Sequence, residues 1–177
     1  MTAPTAGGPA FAPRSSTTAR TSHAADRVPV VTFALGQDLF AMDVREIDRV
    51  VRLRELAPVP NMPVWMLGVL EYRGCVAPVI DLRARFELSP APPSADRRTL
   101  LCVVDGAYTG AVVDAVLDVR AIDLEAIDAP PPLVRGLARE YVRGVFRRDD
   151  RLTILLDATR LLSATERLAL LAASPDA

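Results

Sequence analysis

The chain has 177 residues, half of them apolar, and a formal net charge of −1. That length suits one domain or two small ones able to bury a core without disulfide or metal staples, and no apolar run reaches the ~18 residues of a membrane span, so a soluble protein is expected. Near-neutrality excludes a strong global field toward nucleic acid or acidic lipid.

Residues 1–27 read as a tail. Pro4, Gly7, Gly8, Pro9 and Pro13 precede a Ser15-Ser16-Thr17-Thr18 run, with no apolar core of a secretory signal. Arg14, Arg20 and Arg27 against one acid, Asp26, carry a trace of transit-peptide composition. The segment buries too little to offset its ordering entropy and is expected to be disordered. From Val28 the texture turns apolar. Val30 to Leu35 and Leu39 to Val44 flank Gly36-Gln37-Asp38, which predicts a hairpin. Ile47, Val50 and Val51 fit either a short strand or one helical turn. Pro58, Pro60 and Pro63 then forbid a long helix.

Met66 to Tyr72 and Cys75 to Ile80 flank Arg73-Gly74, a second hairpin whose Gly supplies positive φ. Pro78 lacks an N–H and predicts an edge position or a bulge. Asp81 is placed to cap a brief helix through Phe86. Residues 87–97 read as a linker. Thr99 to Asp105 and Tyr108 to Val116 then flank Gly106, and Val119 to Ile122 reads as a short strand. After Pro130-Pro131-Pro132, Tyr141 to Arg147 and Leu152 to Leu156 flank Asp149-Asp150. Leu161, Leu162, Leu168 and Leu171 suggest a closing helix, broken near Ser163.

The chain repeats itself. Gly68 laid on Gly144 brings Val69 onto Val145, Val79 onto Leu155 and Asp81 onto Asp157, an offset of 76. Upstream, Asp43 laid on Asp114 gives an offset of 71. Each copy holds about five short strands, too few to hide both faces of an open sheet, and curling into a barrel solves that. The expected fold is all-β: two five-stranded barrels related by duplication, with a C-terminal helix. The boundaries expected are a tail at 1–27, barrels at 28–90 and 91–162, and a helix and tail at 163–177.

Catalytic constellations are missing. The single histidine, His23, lies in the tail, and the absence of Lys rules out a Walker lysine or a Schiff base. Cys75 and Cys102 form no C-x-x-C and read as thiols in a reducing compartment. Asp43, Asp81, Asp114 and Asp157 recur in both halves, as structural caps or turns would. No enzyme activity, cofactor or metal is expected. Arg45, Arg49, Arg52 and Arg54 cluster, as do Arg147, Arg148 and Arg151, but interleaved acids and few aromatics speak against a nucleic-acid platform. Part of the first cluster suits a protein-binding rim.

Gly68-Val69-Leu70-Glu71-Tyr72-Arg73-Gly74-Cys75-Val76-Ala77-Pro78-Val79-Ile80-Asp81-Leu82-Arg83 resembles the signature of the CheW family, roughly G-V-x-N-L-R-G-x-V-x-P-V-[IV]-D-L-R. Phe33 to Gly36 and Phe40 to Val44 resemble its opening hairpin, and Pro60-Asn61-Met62-Pro63 its approach to the glycine. Val112-Val113-Asp114, Val116 to Val119, Tyr141 to Val145 and Leu155-Leu156-Asp157 continue the resemblance in order.

The resemblance implies two SH3-like barrels and a cytoplasmic scaffold recruited to membrane-associated chemosensory arrays. Such domains bridge the cytoplasmic tips of chemoreceptors to the regulatory domain of a CheA-type histidine kinase. They also assemble into rings with other CheW-like domains. A groove between the barrels would accept the receptor hairpin. Ile47, Gly68, Arg73 and Val119 match positions tied to these contacts. Two departures stand out. Arg49 replaces the family's usual Glu, and Glu71-Tyr72 replaces Asn-Leu. An inverted charge retargets an interface, so Arg49 joins the expected protein-binding residues. The alternative is an adaptor of a non-chemotaxis system, such as pilus or motility control, with other partners.

Overall fold

A computed structural model describes residues 26–131, 139–163, 165–167 and 169. The expectations for residues 1–25, Pro132, Leu168 and Leu171 lie outside them. Ten strands are present: β1 (Arg27–Leu35), β2 (Asp38–Asp43), β3 (Ile47–Arg52), β4 (Met66–Tyr72), β5 (Cys75–Asp81), β6 (Arg98–Val104), β7 (Ala107–Val113), β8 (Ala115–Asp123), β9 (Val142–Arg148) and β10 (Arg151–Leu156). The strand pattern begins at Arg27, which donates to the Ala121 carbonyl, so the tail ends earlier than expected. Alternation continues through Leu117, Val119 and Ala121, making β8 nine residues long rather than short.

The strands form two five-stranded sheets, ordered β8-β1-β2-β10-β9 and β3-β6-β7-β5-β4. In each sheet, side chains join the two outermost strands. Arg148 of β9 meets Asp118 of β8 at 3.0 Å, and Tyr72 of β4 donates to Asp48 of β3. Each sheet therefore curls into a barrel with a seam, and the fold is two SH3-like barrels.

A division at residue 90 does not describe these barrels. The first takes β1 and β2 from the N-terminal repeat and β8 to β10 from the C-terminal one, and the second takes the reverse. The copies have exchanged their opening hairpins. Parallel pairing of β10 with β2 and of β5 with β7 makes the joins.

The duplication is visible in the register. Phe33 pairs with Phe40 and Val116, and Cys102 pairs with Thr109 and Ile47, which is an offset of 69 (Phe33 onto Cys102). The β4–β5 and β9–β10 hairpins match at 76, with Gly68↔Val79 repeated as Leu155↔Gly144. Bulges recur at matching places: Asp48 in β3 against Leu117 in β8, and Leu67 in β4 against Arg143 in β9. The opening hairpins are thus equivalent at 69, not 71, and Asp43 is not the counterpart of Asp114. Asp43 accepts from the Arg45 N–H at the start of a 3-10 turn, whereas Asp114 accepts from the Gly36 N–H and the Arg83 side chain. Asp81 and Asp157 do match, and both cap the short helical segment that follows them, Asp81 capping α1 (Leu82–Arg85).

In β1, β2 and β10, alternation sends side chains into two interiors. Phe33, Leu35, Phe40 and Met42 join Ile80, Leu100, Cys102 and Val104 in one core shared by both sheets. Val28, Val30, Ala41, Phe146 and Leu155 form a second cluster within the first barrel. Full burial of each large side chain stabilises the fold by about 1.5–3 kcal/mol. Rings of Phe33, Phe40, Phe86 and Tyr141 follow one another at 6.0, 5.9 and 5.4 Å through the shared core.

Pro78 occupies an edge position on an otherwise internal strand, as expected, because β5 meets β7 only from Val79 onward. Its partner Val69 exchanges backbone bonds with Ala57, so the missing N–H breaks no ladder bond. The expected break at Ser163 is a capping box, in which Ser163 Oγ accepts from the Glu166 N–H and Glu166 accepts from the Ser163 N–H. Residues 165–167 and 169 are helical.

Candidate protein-docking surface

Arg73 and Gly74 close the β4–β5 hairpin with φ of 52° and 74°, the geometry a two-residue turn needs to follow strand twist. The turn brings Arg73 to 3.2 Å from Asp48, the bulged residue of β3. Tyr72 donates to the same carboxylate, and this bond raises the Tyr72 pKa above its ordinary value. The Tyr72 ring meets Tyr108 edge-on at 5.0 Å, and the Arg73 guanidinium lies 5.4 Å from the Tyr72 centroid. Asp48, Tyr72, Arg73 and Tyr108 thus clasp one end of the second barrel. Arg73 remains half-exposed beside Asp48.

Gly68 is buried with φ of 144°, and a Cβ there would lie 2.4 Å from the Ala57 carbonyl oxygen. The bare backbone lets residue 57 bond to Val69 in both directions at 2.9 Å. Gly144 does the same for Asp128 and Val145. The geometry provides a backbone reason for Gly68.

Ile47 is half-buried and packs against the shared core. Val119 is 64% exposed, and with Leu117 and Ala121 it forms an apolar stripe along edge strand β8. Arg49 is exposed and lines a groove of about 470 Å³ between β3 and β4. Four of the five expected positions therefore belong to the second barrel, and Val119 belongs to the first. Asp48, Tyr108 and Leu117 are not among the residues expected at a site, and Tyr72 enters the sequence reading only as a departure from the family pattern. A β-bulge, which turns a side chain out of alternation, leaves no mark in composition.

Asp43 is buried beneath two guanidiniums. Burial raises its pKa, but the bonds and charge from Arg45, with Arg143 adding to them, outweigh this and hold it below the ordinary carboxylate range. Burial pushes the Cys102 thiol up to about 12, while Cys75 is exposed. No three His, Cys, Asp or Glu side chains among the described residues converge as metal ligands. No described helix is long and apolar enough to cross a membrane.

The CheW-like domain family matches residues 29–166. The chain belongs to the CheW-like family. It is 31% identical to the probable chemotaxis protein CheW of Rhizobium etli over 137 residues, covering 77% of this chain and 88% of that protein. It is 38% identical to protein FrzA of Myxococcus xanthus over 115 residues, covering 64% and 70%. The crystal structure of the scaffolding protein TtCheW from Thermoanaerobacter tengcongensis superposes with a TM-score of 0.73 at 30% identity, covering 79% of this chain and 90% of that one. Within the CheW-like family the chain is thus a scaffold or adaptor.

Proposed function

We propose that the chain is a non-catalytic cytoplasmic adaptor that couples chemoreceptor signalling tips to the regulatory domain of a CheA-type histidine kinase at membrane-associated arrays. The observation that carries this is the apolar stripe of Leu117, Val119 and Ala121. β-Branched and apolar side chains stand in solvent on an edge strand that continues from a buried core. Covering such a side chain with a partner helix stabilises a complex by up to about 1.5–3 kcal/mol. Val119 is the proposed receptor anchor. Arg73 supplies a charged contact at the opposite barrel, where Ile47 and Gly68 shape the strands beneath it and Arg49 sets charge preference. Ring assembly with other CheW-like domains through the barrel ends is part of the same proposal and rests on the family resemblance.

The test is calorimetric titration with two fragments from the same genome, a receptor cytoplasmic hairpin and a kinase regulatory domain. Saturable binding to both at once supports the bridge, and binding to neither overturns it. The similarity to protein FrzA, a relative not named as a CheW, supports a second reading, a CheW-like adaptor of another signalling system with its own receptor and kinase. Binding confined to that system's receptor and kinase would select it.

A further inference from the structure

We infer that the open seam of the second barrel is a docking groove for an acidic, extended segment of a partner protein. This deepens the adaptor role proposed above and rests on it. The two barrels are copies, yet they close differently. In the first, Asp118 of β8 accepts from Arg148 of β9 across the seam at 3.0 Å, and from Thr32 inside the barrel. The register places Leu101, Arg49 and Tyr72 of the second barrel where the first has Thr32, Asp118 and Arg148. A base stands in the place of the acid, and a phenol in the place of its basic partner.

The seam is instead tied at its ends. Asp48 holds Tyr72 and Arg73 at one, and Ala57 pairs with Val69 at the other. Between the ties lies the groove of about 470 Å³, lined by Arg49, Arg52 and Arg54 over Val51, Leu70 and Leu101. None of the three guanidiniums forms an ion pair among the described residues. Glu55 and Glu71 share the lining but leave positive charge in excess.

Both flanking strands are outermost in their sheet, so an entering chain finds unpaired backbone groups along β3. It also meets an apolar floor and a guanidinium rim. What is missing at the register position of Arg49 is the carboxylate that Asp118 supplies in the first barrel. Arg matches carboxylates in bidentate geometry and repels basic segments.

The probe is a short fluorescent peptide alternating Glu with Val, paired with its Lys-for-Glu counterpart. Anisotropy and amide chemical-shift mapping are recorded on the full chain. The acidic peptide binds preferentially, weakens with salt, and shifts amides of residues 49–55 and 69–72. Arg49→Gln weakens it at least threefold. Arg49→Glu/Arg52→Glu/Arg54→Glu loses roughly tenfold or more and gains the basic peptide. Val119→Asp leaves peptide binding unchanged. Equal binding of both peptides, shifts centred on Leu117–Ala121, an unaffected Arg49→Gln, or preference for anionic vesicles or oligonucleotides overturns the groove. Receptor and kinase binding are measured separately on the parent chain. A failed peptide with intact partner binding rejects the groove alone, and absent partner binding in the parent chain rejects the adaptor role.

Discussion

Arg148 donates to Asp118 at 3.0 Å and thereby joins β9 to β8, the two outermost strands of the first barrel. Burial raises the Asp118 pKa, but bonds from Thr32 and Arg120 and the charges of Arg148 and Arg120 outweigh it, leaving the carboxyl below its ordinary value. The folded state therefore binds this proton more weakly than the unfolded chain. The stabilisation is complete above the unfolded value near ~3.9 and is lost as pH falls through the folded value. Asp118→Asn is expected to cost about 1–2 kcal/mol at neutral pH, mostly by leaving the largely buried Arg148 with only the exposed Asp149, 3.6 Å away, as an ionic partner. Urea titrations from neutral pH to below pH ~3.9 should show the deficit shrinking as acid removes the native contribution; a pH-independent deficit contradicts the assignment.

Two glycines of the same hairpin should respond differently. At Gly68, Ala places a Cβ 2.4 Å from a backbone oxygen at φ 144°, and the Ala57–Val69 bridge must break. A loss of about 2–4 kcal/mol is expected. At Gly74, φ is 74° but nothing lies within 4 Å, so Ala costs only about 1 kcal/mol. Thermal melts of the two variants check the order, and equal losses contradict it.

The cysteines should differ in reactivity. Cys75 is exposed at the start of β5, whereas Cys102 is fully buried with its thiol pushed up to about 12. A thiol reagent is expected to modify one cysteine rapidly in the native protein. The second should react only at the rate of unfolding. Mass spectrometry of the labelled peptides reads both.

Much of the fold was legible because alternation and turn residues are local signals. Gly36, Arg73-Gly74, Gly106 and Asp149-Asp150 all mark hairpins that form, each with positive φ. The duplication also showed, through Gly68 and Gly144. The exchange of opening hairpins did not, because the parallel joins of β10 to β2 and β5 to β7 are non-local and repeats carry no label for their partner. The offset of the first hairpin was misread because Asp43 and Asp114 invite alignment although their bonds differ. At the site, Arg73 is legible through its match to the family signature, and its tight turn through Gly74. Asp48 was passed over because only the bulge aims it at Arg73. The exposure of Val119 follows from alternation along β8, which turns Leu117, Val119 and Ala121 to solvent.

The adaptor role is tested most directly by titrating the receptor hairpin into the parent chain and into Val119→Asp. Val119 is 64% exposed, so the substitution should change stability by less than about 0.5 kcal/mol. The charged side chain should nonetheless weaken receptor binding at least tenfold, equivalent to about 1.4 kcal/mol, by standing unpaired in a desolvated contact. Undiminished affinity in a variant that melts like the parent would show that β8 is not where the receptor docks.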